Sequence, residues 1–275
     1  GVIYDATGVF VKELSVLTSG NDPWDFNGAC IDDQDAIYFY GSIPTGITYA
    51  LTYEYDANGD YVVGSPQNSI SGSTNNLFIQ KMDASSNQVY FKKYNNTNTP
   101  TIEDLVFYGG SLYMVGRHGS FIESNFFGIE IRNPDNTPAA YTSYGYVMKL
   151  NTSATPTWVK TVGSNQMNET IRALYVDGSS IYTVGRSEDH FSPTSSGGEF
   201  FISVRAQNGP GSYLGAYWRG NKTFAQRWDM NGIVNWGTVM HGDDPSHSVH
   251  ALSIQGNATN IAIGGIFSNT ITFNG

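Results

Sequence analysis

The stretch Arg172-Ala-Leu-Tyr-Val-Asp-Gly-Ser-Ser-Ile-Tyr-Thr-Val-Gly185 decides the fold. It reads as an apolar strand, a short turn and a second strand that closes on glycine. Aromatic and β-branched residues flank a turn of Asp, Gly and Ser, which is the composition of a β-hairpin. The pattern occurs three more times, as Ala29-Cys-Ile-Asp-Asp-Gln-Asp-Ala-Ile-Tyr-Phe-Tyr-Gly41, Asp104-Leu-Val-Phe-Tyr-Gly-Gly-Ser-Leu-Tyr-Met-Val-Gly116 and Ala251-Leu-Ser-Ile-Gln-Gly-Asn-Ala-Thr-Asn-Ile-Ala-Ile-Gly-Gly265. The closing glycines Gly41, Gly116, Gly185 and Gly265 are spaced by 75, 69 and 80 residues. Such a period marks a repeat architecture and takes precedence over any single motif.

A second hairpin type alternates with the first. Its copies are Val2-Ile-Tyr-Asp-Ala-Thr-Gly-Val-Phe-Val-Lys12, Phe78-Ile-Gln-Lys-Met-Asp-Ala-Ser-Ser-Asn-Gln-Val-Tyr-Phe91, Tyr146-Val-Met-Lys-Leu-Asn-Thr-Ser-Ala-Thr-Pro-Thr-Trp158 and Phe224-Ala-Gln-Arg-Trp-Asp-Met-Asn-Gly-Ile-Val-Asn-Trp236. Asp or Asn at the turn start can bond the backbone two residues on, and Gly8 and Gly232 supply the positive φ that closes such a turn. These are turn devices rather than metal loops.

Two hairpins make a four-stranded antiparallel unit, the blade of a β-propeller. Residues 1–275 therefore read as one all-β propeller domain of about four four-stranded blades. Its repeats run over approximately 28–94, 101–162, 170–239 and 247–275 plus 1–17. Extra hairpins are expected in the long joins at 49–64, 126–144 and 200–218, the last around Gln207-Asn-Gly-Pro-Gly211. The N-terminal strands are expected to complete the last blade. Closure can run within one ring or between neighbouring molecules in a head-to-tail fibre.

Composition agrees with an all-β chain. Of 275 residues 40% are hydrophobic and 14% aromatic, enough for a core, while only 14% are charged. A net charge of −10 argues against nucleic acid as a partner, which needs clustered Lys and Arg. No apolar run approaches the ~20 residues of a spanning helix. The one cysteine, Cys30, excludes an intramolecular disulfide framework and a cysteine-based zinc site, and reads as a small core residue.

The segment Thr157-Trp-Val-Lys-Thr-Val-Gly163 with Ile171 to Gly185 resembles the SBBP-type β-propeller repeat of secreted bacterial proteins. Asn235-Trp-Gly with Gly242-Asp-Asp-Pro and Ala251-Leu-Ser-Ile is similar, as is Gly20-Asn-Asp-Pro-Trp-Asp25. The copy at Asp104 departs, because the loop before it is rich in Asn and Thr and has no Gly-Asp pair. The resemblance implies a propeller and an extracellular or cell-surface setting. It implies no activity, because such repeats share no catalytic residues and fold does not fix function.

Chemistry is sparse. His241, His247 and His250 with Asp243 and Asp244 form the densest cluster that could hold a metal or move protons, but their spacing matches no zinc pattern. Turn-and-cap roles suit Asp22 and Asp244 better, so no metal and no cofactor are expected. Asp32, Asp33 and Asp35 read as a solvated turn before Ile37, and Glu188, Asp189 and His190 as a solvated loop. No nucleophile elbow, phosphate loop or dinucleotide fingerprint occurs, so no catalytic residue is expected. Asn95, Asn151, Asn168, Asn221 and Asn257 head Asn-x-Ser/Thr sequons and are glycosylation candidates. Their number is no more than 24 Asn and 50 Ser plus Thr give by chance.

These features point to a non-enzymatic extracellular module, structural or adhesive, including a self-assembling subunit of a surface appendage or fibre. Its partners would be further copies of itself, other surface proteins or glycans. The alternative is a carbohydrate-binding or carbohydrate-active propeller with Trp24 and Trp218 as stacking platforms. Most other aromatics, such as Tyr38, Tyr113 and Tyr182, recur at equivalent repeat positions and read as core. A scaffold that displays its extra hairpins to a partner is a third possibility.

Overall fold

Four turns of one design fix where strands end. In each, the side-chain Oδ1 of Asp32, Asp83, Asn151 or Asp229 accepts the backbone N–H groups two and four residues on, at 2.8–3.0 Å. The same residue's own N–H donates to the carbonyl four residues on. The third residue after the cap turns left-handed at Asp35 (φ 60°), Ala154 (φ 50°) and Gly232 (φ 78°). This satisfies donors that would be orphaned where the ladder stops.

The computed structural model describes side chains over residues 27–42, 77–94, 100–119, 126–129, 143–162, 169–186, 223–240 and 250–266, except 86, 239, 258 and 259. In the further strand residues below it describes backbone alone. The strands begin with β1 (Val2–Tyr4), β2 (Phe10–Thr18), β3 (Asp25–Ile31), β4 (Ile37–Ile43), β5 (Tyr49–Tyr55), β6 (Tyr61–Val62) and β7 (Pro66–Ser69). Next come β8 (Asn76–Met82), β9 (Gln88–Asn95), β10 (Thr101–Tyr108), β11 (Ser111–His118), β12 (Ile122–Phe126) and β13 (Ile129–Arg132). Then follow β14 (Tyr144–Asn151), β15 (Pro156–Val162), β16 (Met167–Asp177), β17 (Ser180–Asp189), β18 (Glu199–Val204) and β19 (Ser212–Tyr217). The last are β20 (Lys222–Asp229), β21 (Val234–Gly242), β22 (Val249–Gly256), β23 (Ile261–Phe267) and β24 (Ile271–Phe273). Among the described residues there is no helix, and every strand pair is antiparallel.

Three sheets repeat one topology: β3-β4-β8-β9, β10-β11-β14-β15 and β16-β17-β20-β21, the third extended by β24. In each, the first and second strands are one hairpin and the third and fourth another, as the repeat predicts. The sheets stack in chain order, β3 and β4 against β10, β10 and β11 against β16, and β16 and β17 against β22. One apolar layer lies between each pair. Tyr38, Tyr40, Ile79, Leu105 and Met114 fill the first, Tyr113, Val147, Ile171, Phe224 and Trp228 the second, and Ala173, Val184, Ala251 and Ile254 the third. Tyr38 and Tyr113 are therefore core, while Tyr182 is only half-buried.

The first strand of each unit carries a bulge at the same place, at Phe26/Gly28, Ile102/Asp104, Ile171/Ala173 and Ala251/Ser253. The closing glycine lies opposite the residue before it. A Cβ on Gly116 would come within 2.0 Å of the Thr101 carbonyl oxygen, and one on Gly185 within 2.2 Å of the Phe224 ring. Glycine is required because the third-strand aromatic packs over it: Tyr146 reaches across to donate its hydroxyl to Thr101 O at 2.8 Å.

Several expectations need correction. Among the described residues the N-terminal strands do not pair with the last unit: β2 pairs with β5, and β22 and β23 form a two-stranded sheet. A physical reason lies on that sheet's outward face. Where the second sheet has Val106, Tyr113 and Val115, it has Gln255, Ala262 and Gly264, so little apolar surface is offered for folding back on the first sheet. Asp32 is not solvated but buried at 7% exposure, while Asp33 and Asp35 are exposed. Cys30 is half-buried against the first apolar layer rather than enclosed in it. The extra hairpins are β5-β6, β12-β13 and β18-β19; the second starts four residues before its expected span of 126–144 and has its turn, Phe127-Gly128, and its second strand within it.

Candidate functional site

The bulge residues Asn27, Glu103, Arg172 and Leu252 occupy one repeat position, one per sheet. They link neighbouring sheets in series. The Asn27 side-chain amide donates to Ile102 O, and Arg172 Nη1 reaches Glu103 Oε2 at 2.8 Å. Asp104 adds a second tie: Oδ2 accepts the Leu174 N–H at 2.9 Å, while Oδ1 accepts the Leu105 N–H and the Tyr40 hydroxyl. Burial raises the Asp104 carboxyl above its usual range, against the opposing pull of those donors. In this series Leu252 is the last member and is 56% exposed.

A second repeated contact spans the second and third strands. Lys81 lies over Tyr38, Lys149 over Tyr113 and Arg227 over Tyr182, with the cation 4.8–5.8 Å from the ring centre. Each pair sits directly opposite in the ladder. Lys81 Nζ also bonds Asp32 Oδ2 at 3.1 Å. Burial alone would raise the Asp32 carboxyl, but the N–H groups of Ala36 and Gln34, Lys81 and the Tyr38 hydroxyl together hold it below the usual value. Cys30 is pushed up to about 12, first by burial and then by Asp104, which leaves it a thiol and not a nucleophile.

Among the described residues the fourth unit shows its first hairpin alone. Among the described residues, β23 pairs only with β22, whereas β4, β11 and β17 each hold a third strand on the other edge. On its inner face Ile261 and Ile263 are half-buried, and on its outer side Ile266 is 66% exposed. The hairpin β1-β2 is of the second type. It pairs Ile3 with Lys12 and Tyr4 with Phe10, with an irregularity between Ile3 and Tyr4. The other units pair Lys81 with Tyr90 and Met82 with Gln88, Lys149 with Trp158 and Leu150 with Pro156, and Arg227 with Trp236 and Trp228 with Val234, each broken at the same step.

The predicted site residues scatter. His241 lies in β21 opposite Thr272, and His250 is half-buried in β22 opposite Ile266. Asp243, Asp244 and His247 lie outside the described residues, as do Trp24, Trp218, Asp22, His190 and Asn221. Among the described residues no group of three His, Cys, Asp or Glu could hold a metal. Glu188 and Asp189 lie in β17 opposite Asn168 and Met167, so they extend a ladder rather than a loop. Asn95 ends β9. Asn151 and Asn257 are exposed, and each side-chain oxygen caps a turn.

Sequence reasoning missed a cleft of about 680 Å³ beside β9, lined by Phe91, Lys92, Lys93, Tyr94, Phe127, Gly128, Ala154 and Thr155. Tyr94 stacks on Phe127, and burial lowers the Lys93 ammonium. Two adjacent lysines among aromatics in a chain of only 14 Lys and Arg were the available signal.

No protein-family model matches the chain, and no curated protein matches it. The likeness to SBBP-type repeats therefore rests on the quoted residues alone. No helix among the described residues is long and apolar enough to cross a membrane.

Proposed function

We propose that the chain is a non-enzymatic structural module of the cell exterior, a propeller-like fan of blades that serves as a self-assembling subunit of a surface appendage or fibre. One observation carries this reading. Among the described residues β23 pairs only with β22, so the fourth repeat presents a strand edge, and the hairpin β1-β2 repeats the register of the second hairpin of the four-stranded sheets. An unpaired edge templates association unless it is covered. The acidic, mostly uncharged polar composition and the likeness to secreted bacterial repeats support the exterior setting.

Purified protein is expected to form linear particles in negative-stain images, growing with concentration. A chain lacking residues 1–17 is expected to remain short or unassembled. Discrete monomers from both would end the reading.

The cleft at Lys92 and Lys93 favours a second one, a site for an acidic sugar whose carboxylate meets these two lysines. A glycan array would favour it if binding appeared and fell in Lys93→Ala.

A further inference from the structure

The cleft beside β9 is lined by residues from both faces of that strand. Successive side chains of a strand point to opposite faces, so Phe91 and Lys93 share one face and Lys92 and Tyr94 the other. The surroundings agree. Phe91 stacks on Phe78 of β8, with ring centres 5.5 Å apart. On the other face, Lys92 Nζ and the Tyr94 hydroxyl donate to Ala154 O in the turn of the second sheet, at 3.4 and 3.1 Å. A hollow that meets both faces of one strand runs along its edge. Among the described residues β9 pairs only with β8, so this edge carries backbone groups outside the ladder.

The third sheet shows what such an edge accepts. There β21 takes β24 as a fifth, antiparallel strand, with Met240 opposite Phe273 and His241 opposite Thr272. The two fourth strands keep the same register with their neighbours. Lys81 faces Tyr90 and Leu77 faces Tyr94, as Arg227 faces Trp236 and Thr223 faces Met240. Tyr94 therefore holds the position at which Met240 receives β24. The cleft lies where the third sheet is extended.

We infer that β9 binds an extended peptide of a partner protein as an added antiparallel strand, with neighbouring acidic residues of the peptide facing Lys92 and Lys93. Main-chain hydrogen bonds supply attachment in this mode, and side chains supply specificity. Here charge selects the partner. Lys92 and Lys93 set one cation on each face of the edge, in a chain of net charge −10 with only 14 Lys and Arg. Opposite charges across a strand pair stabilise it and like charges oppose it, so two consecutive carboxylates suit the edge and a basic segment does not. Tyr94 stacked on Phe127 forms an apolar wall beside them. A sugar would meet the same lysines but leave the row of backbone groups unused. Edge lysines also keep copies of a chain from pairing with one another, and in that role alone they would bind no peptide. The occupant needs neither β23 nor the N-terminal hairpin, so binding at β9 is independent of assembly.

The probe is a fluorescein-labelled octapeptide, Thr-Val-Thr-Glu-Glu-Val-Thr-Val, titrated with dilute full-length protein and followed by anisotropy. Saturable binding is expected, and the version with Lys-Lys in place of Glu-Glu should bind at least tenfold more weakly. N-methylation of alternate residues removes the N–H groups from one edge of the peptide. One alternate set should weaken binding at least tenfold, and the other should leave it nearly unchanged. Lys93→Glu should reverse the preference, binding the Lys-Lys peptide better than the Glu-Glu one. The peptide comparisons use the unaltered chain, so they decide the matter even where that variant fails to fold. No binding up to ~1 mM would overturn the inference and leave the lysines as guards of the edge. Equal affinity for both N-methylated sets and the parent would overturn it by showing contact without strand pairing. Binding of oligogalacturonate without binding of the peptide would overturn it in favour of the acidic-sugar reading.

Discussion

Gly116→Ala is expected to lower stability by about 3 kcal/mol or more, the upper end of what overpacking costs. The new Cβ would lie 2.0 Å from the Thr101 carbonyl oxygen and 2.9 Å from the Tyr146 hydroxyl. The carbonyl belongs to the neighbouring strand and cannot retreat without opening the β10-β11 ladder, and the displaced hydroxyl loses its bond to Thr101. Gly110→Ala is the comparison. Gly110 has φ 75° with nothing within 4 Å of its added Cβ, so that change costs only backbone strain, about 1–2 kcal/mol. Urea midpoints of the two variants should separate clearly. Equal midpoints would show that the second sheet is not packed as described.

Trp228→Ala is expected to cost about 4 kcal/mol, because it deletes the largest fully buried side chain among the described residues. Trp228 packs in the layer between the second and third sheets with Tyr113, Val147 and Phe224. Its indole N–H donates to Thr183 Oγ1 at 3.0 Å, so truncation also strands a buried hydroxyl. Trp228→Phe keeps most of the volume and loses that bond, which should cost roughly 1–2 kcal/mol. Chemical denaturation followed by the remaining tryptophans separates the two variants. A loss under ~1 kcal/mol for the alanine variant would mean that the two sheets do not meet at this residue.

The parts of the fold visible in the sequence are those made by local chemistry. Caps such as Asp229 with Gly232, and the paired glycines Gly109 and Gly110 (φ 55° and 75°), fix a turn within five residues and are read directly. The four closing glycines repeat because each faces a bulge, although the bulge itself leaves no mark in a single strand. What could not be read is pairing between repeats. Nothing in Tyr49-Ala-Leu-Thr-Tyr-Glu-Tyr55 says that its strand will take β2, since an edge made of alternating residues accepts many partners.

The site was legible in the same proportion. The two hairpin types are visible in the sequence, and the structure alternates them within each four-stranded sheet. Arg172 with Glu103 was not recognised, although the two hold the same position in consecutive repeats with opposite charge, a signal that was present. The histidine cluster is dense in the sequence alone. Only His250 of its three histidines has a described side chain, and that lies in a ladder beside Ile266 rather than in a cluster. The repeated cation-over-tyrosine pairs were also missed as pairs, because each partner comes from a different hairpin.

Amide hydrogen exchange along β23 tests the open edge most directly. In dilute, unassembled protein, the N–H groups of Ile261–Phe267 that point away from β22 should exchange quickly, while the corresponding groups of β4, β11 and β17 stay protected by their third strands. On assembly the β23 amides should become as slow as theirs. Full protection of β23 in a protein that sediments as a single chain would contradict the account, because the last blade would then be finished from within.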